Sequence, residues 1–238
     1  MKKLLVLAVL FVSVMAQAQT ADEVMAKYIT AKGGADKLAA LKTMRMAMET
    51  SVMGNAVSIT ATIAAGEGVR QDVSVMGQDI ITATDGTQAW MVNPMAGSSD
   101  PQVMPGKAGQ AMVDQMSIGG PLLNYKEKGG SVQLVGKEQF EGKDVYVLKL
   151  TQKDSTTSTH YINATTFQDT KVVAKMKAEG QDVESETLFD DYRTIDGYTF
   201  PFEQQTTNPQ FGRMKIKTIK IEINPTVDEM IFKMPAKK

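Results

Sequence analysis

The stretch KTMRMAMETSVMGN, residues 42–55, decides the fold class, because its apolar side chains return at every second position. Met44, Met46 and Met48 alternate with charged or small residues along this stretch. A period of two is typical of a β-strand. Gly54-Asn55 then supplies a turn signal, so the sequence predicts that the chain folds back into a hairpin.

Turn signals recur along the rest of the chain, between segments rich in Val, Ile, Thr or aromatic residues. They lie at Gly66-Glu67-Gly68, Gly77, Asp85-Gly86, Glu141-Gly142-Lys143, Asp154-Ser155, Glu179-Gly180 and Asp196-Gly197. Successive hairpins predict an antiparallel meander. The spacing of about 8–12 residues between many of these turns favours a barrel or a strongly curved sheet.

Two helices are predicted before the sheet. Thr20-Ala21-Asp22-Glu23 is a capping box, which starts a helix by pairing its first free backbone N–H groups. Val24 and Tyr28 form the apolar stripe of this helix, and Gly33-Gly34 ends it, because glycine accepts the left-handed conformation. A second, short helix is expected from Ala35 to Leu41.

A loop and a helix are predicted to interrupt the meander. Asn93-Pro94 opens a loop rich in glycine and proline, and the sequence after it has helical spacing, with Met112 and Met116 four residues apart. This insertion, about residues 94–118, can cover one end or face of a curved sheet. We interpret it as a lid or plug that carries Met104, Met112 and Met116; the alternative is a helix that only completes the core.

The N-terminus has the pattern of a secretory signal peptide. Two lysines precede an apolar run from Leu4 to Val14, and Ala16-Gln17-Ala18 fits an A-x-A cleavage site. We expect cleavage after Ala18, which leaves residues 19–238 as one domain. No cysteine follows the cleavage site to carry a lipid anchor. The exported protein is therefore expected to be soluble.

The composition argues against several kinds of chemistry. The chain has no cysteine, which removes disulfides, thiol catalysis and thiolate metal sites. Its net charge of −1 gives no basic surface for nucleic acid. Nucleotide-binding, serine-hydrolase and zinc-protease motifs are absent, and His160, the only histidine, is interpreted as a strand residue. We expect no enzyme, no cofactor and no metal site.

Seventeen methionines are an unusual number for 238 residues, and three interpretations are open. Methionine can simply fill the core. It can also build a surface that repacks around apolar ligands, because its side chain is unbranched and polarizable. The third and weakest interpretation is Cu(I) binding by the thioethers of Met44, Met46 and Met48.

The chain resembles the LolA-like outer-membrane lipoprotein-sorting proteins, in a form typical of Bacteroidetes, over essentially its whole mature length. The segments that carry the resemblance are Ala21-Asp22-Glu23 with Tyr28 and Gly33-Gly34, Ala83-Thr84-Asp85-Gly86 with Trp90 and Asn93-Pro94, residues 120–129, residues 141–146, Asp191-Tyr192-Arg193 with Asp196-Gly197 and Phe200-Pro201-Phe202, Ile223-Asn224-Pro225 and residues 232–235. Their ordered series, rather than any one segment, supports the resemblance.

The resemblance implies an α+β fold, in which a strongly curved antiparallel sheet forms an unclosed β-barrel covered by helices on its concave side. It implies a periplasmic carrier that binds lipid or the acyl chains of lipoproteins in an apolar cavity, with inner-membrane release machinery and an outer-membrane acceptor as partners. An arginine on an inner strand face would hold the lid, with Arg45 and Arg70 as the candidates, although Arg45 is predicted to oppose the Met44 face. We expect a monomer.

The residues expected to line the lipid-binding face occupy alternate positions in strand patterns. They are Met44, Met46, Met48, Val73, Val75, Ile81, Trp90, Met91, Tyr146, Leu148, Phe200 and Phe202. A one-residue error in strand register would move any of them to the other face. A periplasmic sensor or regulatory module that uses the same groove remains the alternative function.

Overall fold

The computed structural model describes residues 19–178, 181–208 and 212–236. The predicted signal peptide and the predicted turn at Glu179-Gly180 lie outside these residues. The helices are α1 (Ala21–Ala31), α2 (Ala35–Ala40) and α3 (Gly106–Asp114), with single 3₁₀ turns at Pro94–Ala96 and Glu229–Phe232. Within the described residues, no helix combines the length and the apolar character needed to cross a membrane.

Within the described ranges, all strands belong to one antiparallel sheet. They are β1 (Thr43–Val52), β2 (Asn55–Ala64), β3 (Gly68–Val75), β4 (Gln78–Thr84), β5 (Ala89–Asn93), β6 (Ser98–Val103), β7 (Ser131–Phe140), β8 (Lys143–Thr151), β9 (Thr157–Asn163), β10 (Asp169–Ala178), β11 (Gln181–Ile195), β12 (Tyr198–Asn208) and β13 (Gly212–Ile223). Their order is β6-β5-β4-β3-β2-β1-β13-β12-β11-β10-β9-β8-β7. The two edge strands, β6 and β7, do not pair with each other, so the barrel is unclosed, as predicted.

The start of α1 has the predicted capping box. The backbone N–H of Thr20 donates to Glu23 Oε2 at 2.9 Å, and the N–H of Glu23 donates to Thr20 Oγ1 at 3.2 Å. Gly33 ends the helix with φ of +127°, and a Cβ there would lie 2.7 Å from the carbonyl oxygen of Gly197. Glycine is therefore needed both for the turn and for the close approach of the β11–β12 connection.

One face of the sheet is covered by helices, and we call it the helix-covered face. Paired residues of antiparallel strands share a face, so the register from Met44 through Ile63 to Val69 places these three side chains together. Met112 of α3 packs against this group, and residues of α1 pack farther along the same face, on Leu148 of β8. The other side of the sheet is called the outer face.

The insertion between β5 and β7 contains more structure than the sequence predicted. Residues Ser98–Val103, expected to be a loop, form the edge strand β6, in which Val103 pairs with Trp90. Pro101 within this strand argued against a strand, but proline is tolerated at an edge, where one row of backbone groups has no partner strand. The predicted helix follows as α3.

Candidate functional site

Helix α3 lies over the helix-covered face on a group of methionines that we call the methionine cluster: Met44, Met46, Met104, Met112 and Met116. Met44 and Met112 are buried, and the other three pack against them with partial exposure. Strands from both sides of β1 complete the surroundings, which are Ile63, Val69, Ala89, Phe202 and Ile221. The predicted lid methionines therefore lie against the predicted strand methionines.

Most residues predicted to line the lipid-binding face lie on the helix-covered face. They are Met44, Met46, Met48, Val73, Val75, Met91, Tyr146, Leu148, Phe200 and Phe202. They form two groups, because Tyr146 and Leu148 pack near α1, whereas Phe200 and Phe202 belong with the methionine cluster.

Trp90 and Ile81 lie instead on the outer face. Trp90 pairs with Ala83, which pairs with Arg70, and this row lies opposite to the row that contains Val69. The indole Nε1–H of Trp90 donates to the carbonyl oxygen of Phe232 at 2.7 Å, and the ring is buried. Trp90 therefore fixes the C-terminal segment to the outer face.

The two candidate latch arginines also point to the outer face. Arg70 donates from Nη1 to the carbonyl oxygen of Ile231 at 3.1 Å and binds Asp72 through Nε and Nη2. Arg45 forms an ion pair with Glu222 at 3.3 Å. These contacts hold strands and the C-terminal segment, on the side of the sheet away from α3.

Helix α1 is attached to the sheet by a polar group that sequence reasoning missed. We call it the anchor network; it consists of Tyr28, Lys32, Ser158, His160 and Asp169. The hydroxyl of Tyr28 donates to Asp169 Oδ2 at 2.9 Å, and Lys32 Nζ lies 3.6 Å from the same oxygen. His160 Nδ1 lies 3.1 Å from Asp169 Oδ1, and Ser158 Oγ lies 3.0 Å from His160 Nε2.

The charge of Asp169 determines how this network is bonded. Burial alone would raise the pKa of Asp169, but the hydrogen bond from His160 and the charge of Lys32 lower it to about 2. An ionised carboxylate only accepts hydrogen bonds, so Nδ1 of His160 carries the proton that it shares with Asp169. Burial and the neighbouring Asp169 raise the pKa of Tyr28 well above its ordinary value, so its hydroxyl stays a donor.

The distances between Ser158, His160 and Asp169 match those of a hydrolase triad, but the surroundings favour an anchor. Tyr28 and Lys32 of α1 also bind the carboxylate. Leu150, the register partner of Ser158, is buried in the cluster under α1, so the hydroxyl lies beside packed apolar side chains. The five side chains therefore attach α1 to β9 and β10.

Only part of this network has a signal in the sequence. Ser158 and His160 are two residues apart in a strand pattern, which places them on one face. Asp169 belongs to a different strand, and an irregularity in the β9–β10 register lies next to it. Its contact with His160 therefore depends on the strand pairing.

Two cavities of the sheet have no methionine in their lining. One, of about 300 Å³, is lined by charged side chains such as Asp190, Glu203 and Lys215 together with Phe140 and Phe189. The other, of about 230 Å³, lies around Asp191, Arg193 and Phe202. Met44 and Met112 are buried between α3 and the sheet, so a ligand beneath the helix would have to displace α3.

Comparison with known proteins agrees with the architecture. The chain is similar to a domain from Vibrio parahaemolyticus named for outer-membrane lipoprotein sorting, at 14% identity and a TM-score of 0.56, over 88% of this chain and 94% of that one. It is similar to a LolA superfamily protein from Nitrosomonas europaea, at 15% identity and a TM-score of 0.59, over 91% and 98%. The chain has the LolA-like fold.

A third structure of this fold is a DUF1329 family protein from Desulfovibrio piger, at 14% identity and a TM-score of 0.61, over 89% of this chain and 96% of that chain. No protein-family model matches the chain, and no curated protein matches it. The LolA-like fold implied by the sequence resemblance is thus confirmed. The match covers each of these three structures almost completely.

Proposed function

We propose that this protein is a periplasmic, non-enzymatic carrier that binds a lipid, or the acyl chains of a lipoprotein, between α3 and the helix-covered face. The observation that carries the proposal is the methionine cluster, in which a helix covers an apolar sheet face through flexible side chains. Each CH₂ group of an acyl chain contributes about 0.8 kcal/mol on burial, so a carrier of this kind needs no covalent step.

The contacts of α3 suit a lid that opens. Methionine has no branched carbon and adapts to irregular shapes, so Met44, Met46 and Met112 can repack around a chain that enters beneath the helix. At its end, α3 is tied to the sheet by an exposed hydrogen bond from Gln71 Nε2 to Gln115 Oε1, of 2.6 Å. An exposed bond of this kind contributes little to stability, because water replaces it when the helix lifts.

The names of the similar structures support a non-enzymatic role related to lipoproteins. One is named for lipoprotein sorting and another for the LolA superfamily, and neither name describes an enzyme. Because identity is 14–15%, the cargo and the membrane partners of this chain rest on the proposal and not on these names.

The two other functions have different requirements. A sensor module would use the same face for a protein segment, and a stable complex with an envelope protein that carries no acyl chain would favour it. Cu(I) binding would use the thioethers of Met44, Met46 and Met48. His160, the only imidazole that could join them, lies on β9, about 24 Å away across the sheet. Metal binding that survives replacement of all three methionines by leucine would exclude that site.

The test combines analysis of bound cargo with a matched pair of variants. Native mass spectrometry of the protein from envelope extracts should detect acylated species, and a fluorescent fatty acid should bind the emptied protein. Met46→Glu should weaken this binding at least tenfold, because it puts a charge on the helix-covered face. Ala47→Glu, one residue away on the outer face, should leave it unchanged.

Thermal unfolding of both variants, followed by circular dichroism, separates loss of the site from loss of the fold. A protein that carries no lipid and takes up no fatty acid would contradict the carrier function. Equal affinity of folded Met46→Glu and Ala47→Glu for the fatty acid would mean that binding occurs elsewhere.

A further inference from the structure

Three neighbouring hairpin connections at one end of the sheet each expose a methionine. Met53 is in the β1–β2 turn, Met76 is in the β3–β4 turn, and Met95 follows β5. Their side chains are 90%, 71% and 52% exposed. We call this end of the first three hairpins the methionine rim.

The strand register brings these three side chains to the same edge. Val57 pairs with Val75 close to the first two turns, and Ile81 pairs with Val92 close to the third connection. Neighbouring strands are about 4.8 Å apart, so the hairpin tips form a row about 20 Å long. The three methionines therefore point out of one end of the molecule together.

The turns carry these methionines at a conformational cost. The sequence Ser-Val-Met-Gly occurs twice, as residues 51–54 and 74–77, and each time the methionine forms the turn. Met53 and Met76 have φ of +51° and +52°, a left-handed conformation that favours glycine or asparagine. A large apolar side chain in this place contributes little packing, so an external contact explains it better than folding does.

The opposite ends of the strands have the reverse chemistry. The connections there present Glu67, Asp85, Glu141 and Asp196. By contrast, residues 51–55, 74–78 and 93–98 of the methionine rim contain no charge. An uncharged, protruding edge is suited to an apolar environment, whereas an acidic edge is suited to water.

We infer that the methionine rim contacts a lipid surface. The three tips expose on the order of 400 Å² of side chain, which is below the roughly 600 Å² that each partner buries in a small stable protein interface. The three side chains project from separate hairpin tips. Their flexible apolar side chains can enter the boundary of a bilayer without a specific complementary surface.

The rim is also continuous with the site of the proposed function. Val57 and Val75 lie on the helix-covered face beside the rim, and Ile59 and Val73 continue this apolar row towards Met48. A rim resting on a membrane would bring the open end of this row to the lipid. The inference extends the proposed carrier function, but its own test does not depend on that function.

The test is sedimentation of the purified protein with vesicles of phosphatidylethanolamine and phosphatidylglycerol. Replacing Met53, Met76 and Met95 together by serine should reduce the bound fraction at least fivefold. Met230→Ser is the matched control, because Met230 is 62% exposed but lies on the C-terminal 3₁₀ turn, and it should bind as the parent does. Melting temperatures should agree among the three proteins.

The absence of cysteine allows a second, positional measurement. An environment-sensitive fluorophore attached at Met53→Cys or Met76→Cys should shift to shorter wavelength on vesicles, whereas the same label at Glu67→Cys should not. A parent protein that fails to sediment, or a triple-serine variant that sediments equally well, would overturn the inference. So would equal spectral shifts at both ends of the sheet.

Fatty-acid binding by the same triple-serine variant separates the two proposals. Loss of vesicle binding with fatty-acid binding retained supports a membrane rim that is distinct from the cavity. Methionine-dependent vesicle binding by a protein that takes up no fatty acid would contradict the carrier function but support membrane contact by the rim.

Discussion

Helices α1 and α3 cover the same face of the sheet, but different chemistry holds them there. Helix α1 is attached by the anchor network, whose buried carboxylate, Asp169, binds both Tyr28 and Lys32. Helix α3 rests on the methionine cluster and has an exposed hydrogen bond at its end. Buried charge-assisted bonds require exact geometry, whereas apolar methionine contacts tolerate rearrangement. Helix α1 is therefore the fixed cover, and α3 is the cover that we propose opens.

Removing the charge of Asp169 should lower the stability of the protein more than any other change proposed below. Asp169→Asn leaves the partly buried ammonium of Lys32 without its counter-charge, so we expect a loss of about 3 kcal/mol in the free energy of unfolding. Urea denaturation measures it. The control is Asp22→Asn, which breaks the exposed pair of α1 with Lys126 and should cost far less, because solvent screens that pair. Similar losses in the two variants would contradict a fixed α1.

Acid should weaken the fixed cover. Asp169 has a pKa of about 2 in the folded protein, and an unfolded aspartate titrates near pH 3.9. A lowered folded pKa stabilises the protein above the unfolded value, and this contribution disappears as the pH falls towards 2. We expect about 2 kcal/mol of Asp169-dependent stability to be lost between pH 5 and pH 2, measured by urea denaturation. Asp169→Asn should lack this component.

Fixing α3 should impair ligand uptake, whereas fixing α1 should not. A short bismaleimide bridge between Gln71→Cys and Gln115→Cys would tie α3 to β3 where their side chains now meet. We expect fatty-acid uptake to slow at least tenfold, measured by stopped-flow fluorescence. The control bridge joins Asp22→Cys to Lys126→Cys, which contact each other at 3.0 Å. Equal uptake by both bridged proteins would exclude α3 as the lid.

Replacing Ser158 should have the smallest effect on stability and on fatty-acid binding. Ser158→Ala removes one hydrogen bond to His160, so we expect a loss of about 1 kcal/mol or less in the free energy of unfolding. Fatty-acid binding should not change. An ester-hydrolysis activity present in the parent and absent from this variant would instead make the three residues a catalytic triad.

The sequence predicted the elements that depend on neighbouring residues. The capping box at Thr20 and the hairpins at Gly54 and Gly77 are all present, because they require only local side chains and backbone conformations. The alternation of Met44, Met46 and Met48 likewise fixed which of them share a face. Such patterns extend over a few residues and need no knowledge of the rest of the chain.

Site residues on other strands were less predictable. Trp90 and Met91 are neighbours in β5 and were both expected on the lipid-binding face, but adjacent strand residues face opposite sides. Met91 lies on the helix-covered face, and Trp90 is bonded to Phe232 on the outer face. Choosing between them requires the pairing of β5 with β4 and the position of the C-terminal segment.

The sequence by itself determined the period of the strands, most of their turns and the capped first helix, because these follow from backbone preference and local alternation. The tertiary structure alone decided that β1 pairs with β13, that Asp169 meets Tyr28 and that Met53, Met76 and Met95 share one rim. These features depend on register summed over many strands, including irregularities beside Met48 and Asp169. A shift of one residue reverses the face of every later side chain, so such contacts emerge only when the whole sheet is assembled.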